Sequence, residues 1–226
     1  MNRIEYQSFR QAAISGLGSL RAKNLSGSYD EQGLPAYTNP NRIMRSMFWQ
    51  RLRVVIGILE RQHHARIAVD FGAGLGLMLP ILATKADEII AIDIEPDKLI
   101  EGMNALNIEP KNFRIDVSLT NALSSHRGKI GLILALDVLE HVDNLGETLY
   151  DMGQLLKPGG RILVSGPTEN LLYRLGRRLA GYSGHYHLRN IGDVEKAISS
   201  DFRIYSRKVL FPIAPLFVII EAGRSH

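Results

Sequence analysis

Val69-Asp70-Phe71-Gly72-Ala73-Gly74-Leu75-Gly76 is the stretch on which the fold turns. An apolar run from Arg66 to Phe71 reads as a short buried strand, and the glycines behind it mark a turn from strand into helix. Missing side chains at such a turn let a ligand approach the backbone closely. The spacing is G-x-G-x-G, whereas the dinucleotide fingerprint G-x-G-x-x-G would want glycine at 77, where Leu77 stands. No P-loop lysine follows, which argues against nucleoside triphosphate chemistry.

On either side of this turn the pattern alternates. Further apolar runs lie at Glu88 to Ile94, Asn112 to Asp116, Ile130 to Leu136 and Gly160 to Ser165, with helical stretches at 75–84, 96–106 and 143–156 between them. Buried strands alternating with helices predict an α/β fold, a Rossmann-like doubly wound sheet that is mostly parallel. Arg203 to Leu210 and Pro215 to Glu221 are joined too closely for a helical crossover, so they should pair as an antiparallel hairpin that closes the sheet.

Upstream, Asn39-Pro40-Asn41 offers a helix start. Met44, Met47, Phe48, Leu52, Val55, Ile58 and Leu59 then recur at helical spacing, predicting an amphipathic helix over 41–62. Residues 1–38 show weak periodicity with scattered glycines and read as a loosely ordered arm or lid. The expected organisation is an N-terminal arm and helix over 1–62, packing on or capping a nucleotide-binding domain at 63–226, with a lid insertion at about 167–190.

Bulk composition narrows the class. With 226 residues, 45% hydrophobic and 22% charged, the chain suits one well-buried domain and neither a disordered nor a membrane-spanning protein. The longest apolar run, Leu210 to Ile220, is broken by Pro212 and Pro215. Cysteine is absent, which excludes disulfides and thiolate metal sites. No signal peptide is apparent and a cytoplasmic location is expected. The formal charge of +4 fits an anionic substrate or an anionic membrane surface, and equally no special partner.

The acid at the end of the second run sharpens the reading of the glycine turn. Asp93 lies beside that turn and can accept both hydroxyls of a ribose, although it could instead cap the helix that begins near Pro96. Two later motifs stand in register with it: Leu136-Asp137-Val138-Leu139-Glu140-His141-Val142 and Leu155-Leu156-Lys157-Pro158-Gly159-Gly160-Arg161-Ile162-Leu163-Val164. With Val69 to Gly76 and Ala91-Ile92-Asp93-Ile94-Glu95-Pro96, they make the chain resemble the class I S-adenosylmethionine-dependent methyltransferases. The resemblance is strongest to the small-molecule group termed type 11 or type 23, and it covers roughly residues 60–210.

That resemblance implies a seven-stranded sheet with an antiparallel last strand and S-adenosylmethionine as cofactor. By position, Asp70, Gly72, Ala73, Gly74 and Gly76 would hold its methionine part, and Asp93 its ribose. Ile94 would lie against the adenine, while Asp116 and Val117 would meet the adenine amino group and ring. Leu136 and Asp137 would line the methionine side near the transferred methyl. Asp116 could alternatively be a solvated loop acid.

The chemistry requires little more than alignment of a nucleophile and exclusion of water, because the methyl sits on a sulfonium. An oxygen nucleophile would be helped by a base, for which histidine is suited. His141 lies near the expected reaction centre; His185 and His187 flank Tyr186 within the insertion. Ordinary packing is the alternative for each. Asp137, Glu140 and His141 also have ligand chemistry, and some ubiquinone-related O-methyltransferases use such a cluster; most relatives with Val-Leu-Glu-His do not, so no metal is expected.

Leu171, Leu172, Leu175 and Leu179 share a helical face beside Arg174, Arg177 and Arg178, which reads as a capping helix or as an interfacial helix on anionic lipid. Arg45, Arg51 and Arg53 beside Phe48 and Trp49 offer similar material, and arginines of this kind could hold a phosphate or carboxylate. The expected acceptor is a small molecule, lipid or glycan precursor, with no nucleic acid; peripheral membrane contact is the alternative to a plain capping role for these helices. The rivals are a catalytically degenerate binding module of this fold and an NAD-type enzyme.

Overall fold

Strand and helix order follows the alternation of apolar runs closely. The computed structural model describes residues 3–23, 29, 33–109, 112–168 and 189–224. Three helices come first: α1 (Arg3–Lys23), α2 (Leu34–Tyr37) and α3 (Arg42–Leu59). Then come β1 (Ala65–Phe71), α4 (Leu79–Leu82), β2 (Ala86–Ile92), α5 (Pro96–Ala105), β3 (Phe113–Asp116) and α6 (Leu119–His126). The chain continues through β4 (Ile130–Leu136), α7 (Leu145–Leu155), β5 (Leu156–Pro167), α8 (Ile191–Asp201), β6 (Phe202–Leu210) and β7 (Phe217–Arg224).

The seven strands form one sheet in the order β3-β2-β1-β4-β5-β7-β6. β1 to β5 are parallel where they pair, and β7 runs antiparallel to both β5 and β6, which is the expected hairpin. Successive residues of one strand feed opposite faces. Ala68, Leu134 and Leu163 join the core beneath α1 and α3, whereas Val69, Ile133 and Val164 join the core beneath α7 and α8. Strand order reverses between β2-β1 and β4-β5, so a crevice opens at the carboxyl ends of β1 and β4, where open α/β sheets bind ligands.

Two helical expectations change. Residues 3–23, expected to be loosely ordered, form α1, a helix of 21 residues, and Tyr6, Ala13, Leu17 and Leu20 bury one stripe of it. Gly16 and Gly18 inside that stripe diluted the period. The helix expected over 75–84 shrinks to α4, because Gly72, Gly74 and Gly76 all have positive φ and keep the chain in a turn. The described part of the 167–190 insertion is confined to Pro167, Thr168, Arg189 and Asn190.

Candidate active site

The carboxyl ends of β1, β2 and β4 open onto a cavity of about 750 Å³. Its walls include Asp70, Gly72, Ala73, Gly74, Asp93, Ile94, Val117, Leu136, Asp137 and His141. At Gly72, φ is 72°, and an added Cβ would lie 2.5 Å from a Val138 methyl, so both conformation and space demand glycine. Gly76 does not line the cavity; it turns the chain toward α4 with Leu79, Leu99 and Met103 packed around it.

Asp93 ties the turn together. Its Oδ2 accepts from the Gly74 N–H at 2.7 Å and its Oδ1 from the Glu95 N–H at 3.0 Å. It does not cap α5, whose N-cap is Glu95. Each carboxylate oxygen keeps a second lone pair for a ligand hydroxyl. Ile94 is 84% exposed and Val117 51% exposed, and both line the cavity. Two apolar side chains left uncovered on the cavity wall suit the faces of a flat, weakly polar ring.

Asp116 does not itself line the cavity, although Val117 and Ser118 beside it do. Its carboxylate accepts from the Val117 N–H at 2.8 Å, Asn121 Nδ2 at 2.7 Å and Arg114 at 3.2 Å. Burial alone would raise its pKa, but these hydrogen bonds, the Ser118 N–H and the Arg114 charge hold it below the usual carboxylate range. At 7% exposure it is not a solvated loop acid, and its hydrogen bonds close the turn into α6.

The charge of the cavity is one-sided. Asp70, Asp93, Glu95, Asp137, Asp143, Glu147 and Asp151 line it, against Arg51 as the sole lysine or arginine on the described wall. Asp70 is 3% exposed, and burial, with repulsion from Asp93 second, pushes its pKa up to about 7. Burial and the neighbouring Glu147 also raise Asp151, against the Arg127 charge.

Arg51, grouped by sequence with the flanking arginines of α3, is instead 2% exposed and faces inward. It forms an ion pair with Asp137 and donates to the Tyr37 hydroxyl, while its guanidinium lies 5.3 Å from the centre of the Phe217 ring. Asp137 has φ 53°, and its Oδ1 accepts from the buried Ser165 hydroxyl at 3.0 Å. Tyr37, Arg51, Asp137 and Ser165 thus form one polar chain from α2 to β5. The signal for Arg51 was its place among Phe48, Leu52 and Val55 on the apolar face, while Tyr37 and Ser165 carried none.

Of the three histidines, His141 lines the cavity just past β4. His185 and His187 lie outside the described residues. Glu140 is buried at 1% exposure, Asp137 is engaged by Arg51 and Ser165, and among the described residues no three His, Cys, Asp or Glu side chains gather as a metal-ion set.

A family model described as a methyltransferase domain matches residues 45–198, and the protein belongs to that family. Within that class, the ubiquinone biosynthesis O-methyltransferase of Azoarcus sp. (strain BH72) is 29% identical over 105 residues, 45% of this chain and 44% of that protein. The ribosomal protein L11 methyltransferase of Thermosipho melanesiensis is 30% identical over 105 residues, 46% of this chain and 39% of that protein. The matched stretch therefore spans less than half the length of either relative. Two solved structures cover nearly the whole chain. Magnesium protoporphyrin IX methyltransferase from Synechocystis PCC 6803, with bound SAH, superposes with TM-score 0.65 at 18% identity, over 92% of this chain and 99% of that one. The N-methyltransferase NodS from Bradyrhizobium japonicum WM9, in complex with S-adenosyl-l-homocysteine, gives 0.65 at 14% identity over 94% and 100%. At these identities the likeness is one of fold.

Proposed function

We propose that this protein is an S-adenosylmethionine-dependent methyltransferase acting on a small molecule, lipid or glycan precursor. The observation that carries the reading is the acidic cavity at the glycine turn. A dinucleotide diphosphate would meet Asp70 and Asp93 there, whereas a sulfonium with an ammonium nearby is drawn to them. When bound, S-adenosylmethionine supplies a methyl group already activated as an electrophile.

The chain's own residues then bind, orient and shield. Asp93 accepts from the ribose hydroxyls, Ile94 and Val117 enclose the adenine, and Asp70 with the Gly72 to Gly74 turn and Leu136 faces the methionine part. Arg51 is the cation placed to meet the carboxylate of that part. Tyr37 and Phe48, which also line the cavity, offer an aromatic wall to the acceptor. His141, or His185 or His187 from the insertion, takes the acceptor's proton where one must leave.

Calorimetry tests the assignment. S-adenosylhomocysteine should bind and NAD should not, and Asp93→Ala should weaken binding by roughly 1.5–3 kcal/mol, the scale of lost charge-assisted hydrogen bonds. Tighter NAD binding, or indifference to Asp93→Ala, overturns it. Transfer of labelled methyl groups into a cell-extract pool separates an enzyme from a binding module of the same fold.

Peripheral membrane contact belongs to the same proposal but loses half its material. On α3, Trp49, Leu52, Val55 and Ile56 are buried in the core and Arg51 is turned inward, leaving Arg42, Ile43 and Arg53 outward. Membrane contact then rests on residues 171–179, outside the described residues. Vesicle flotation should need anionic lipid and decline with salt; failure to float at low salt removes it.

A further inference from the structure

Helix α5 is held backbone to backbone on two sides. On one side it lies on the cofactor turn: a Cβ at Gly102 would sit 2.4 Å from the Leu75 carbonyl oxygen and 2.6 Å from the Leu75 Cα. On the other it lies under α1, where a Cβ at Gly16 would sit 2.3 Å from the Ala105 carbonyl oxygen. Tyr29, buried between α1 and α2 in sequence, donates its hydroxyl to Glu101 of the same helix. Next to Gly16, Leu17 is fully buried and lines the cavity, as does Tyr37 of α2.

No layer of side chains separates the helix from either neighbour at these crossings. Flexible side chains would absorb a shift of a few tenths of an ångström; close-packed backbone passes it on. We propose that α5 couples the two neighbours: occupancy of the cofactor turn tightens the docking of α1 and α2 over the cavity, and that docking raises affinity at the turn. The coupling rests on the S-adenosylmethionine reading above. By linkage it acts equally in both directions, and it would complete the aromatic acceptor wall only once cofactor is in place.

The test uses S-adenosylhomocysteine as probe on the full chain. Trp49 is the sole tryptophan; its indole N–H donates to the Tyr37 carbonyl at 3.1 Å and the Phe9 ring of α1 lies 6.1 Å away, so its emission reports docking of both helices. Saturating S-adenosylhomocysteine should shift that emission and slow amide exchange along α1 by at least about fivefold, and Gly16→Ala, outside the cavity wall, should weaken binding by about 5–50-fold. Tyr29→Phe, which deletes one hydroxyl, should weaken it by about 2–5-fold and serves where Gly16→Ala does not fold. Unchanged α1 exchange in the saturated wild type overturns the coupling, as does a folded Gly16→Ala protein with wild-type affinity. Absence of binding to the wild type overturns the cofactor reading itself, and the coupling with it.

Discussion

Asp70 shows how far a single side chain departs from its solution chemistry when the fold surrounds it. Burial first, and Asp93 second, lift its pKa from 3.8 to about 7. The folded state therefore holds a proton that the unfolded chain has lost, so the stability linked to it is complete below about 4 and disappears as pH rises through about 7. Asp70→Asn should stabilise the protein at pH 8 and flatten the urea-unfolding profile between those limits, by at most about 4 kcal/mol. The ammonium of the ligand's methionine part favours the ionised form, so S-adenosylhomocysteine, which keeps that ammonium, should bind more tightly at pH 8 than at pH 6 in the wild type and not in Asp70→Asn. Arg51 makes the complementary point. Arg51→Met leaves the Asp137 carboxylate without its cation and should cost about 1–3 kcal/mol. Adding Asp137→Asn should restore most of that loss in a double-mutant cycle; strict additivity would mean that the pair contributes nothing.

Helices carry different amounts of their own explanation. α3 and α7 have broad apolar stripes and begin on asparagine caps, Asn41 accepting from the Ile43 N–H at 2.9 Å and Asn144 from the Glu147 N–H at 3.4 Å, and both were visible in the pattern of apolar residues. α1 has a thin stripe interrupted by two glycines and is helical because it packs on α5 and on Trp49, an instance of tertiary contact overriding weak propensity. Leu17→Ala should accordingly cost about 2–5 kcal/mol in urea unfolding, as for a core leucine. A loss near zero would mean that α1 does not pack as a helix on the core.

At the scale of the whole molecule, the cavity opens at the carboxyl ends of β1, β2 and β4, with Tyr37 of α2 and Phe48 of α3 on its wall. S-adenosylhomocysteine affinity should survive His185→Ala and His187→Ala, because both lie outside the glycine turn, Asp93 and Arg51. Methyl transfer should fall by about 10²–10⁴-fold for whichever histidine is the base. If neither variant slows transfer while His141→Ala does, the base is on the β4 side of the cavity.

The glycine turn, Asp93, the alternation of strands and helices, and the closing hairpin could all be read along the chain, because each depends on neighbours within a few residues. Strand period, turn conformation and hairpin length are short-range constraints, and they were enough to predict a mostly parallel sheet closed by an antiparallel hairpin. The division of labour among the acids could not be read that way. Asp70, Asp93, Asp116 and Asp137 all stand at or just past strand ends, yet Asp116 is spent on Asn121 and Arg114, Asp137 on Arg51 and Ser165, and Asp70 is left buried with a raised pKa. Desolvation and ion pairing are set by what distant parts of the chain bring into contact, and Arg51 reaches Asp137 only because α3 is folded against the sheet.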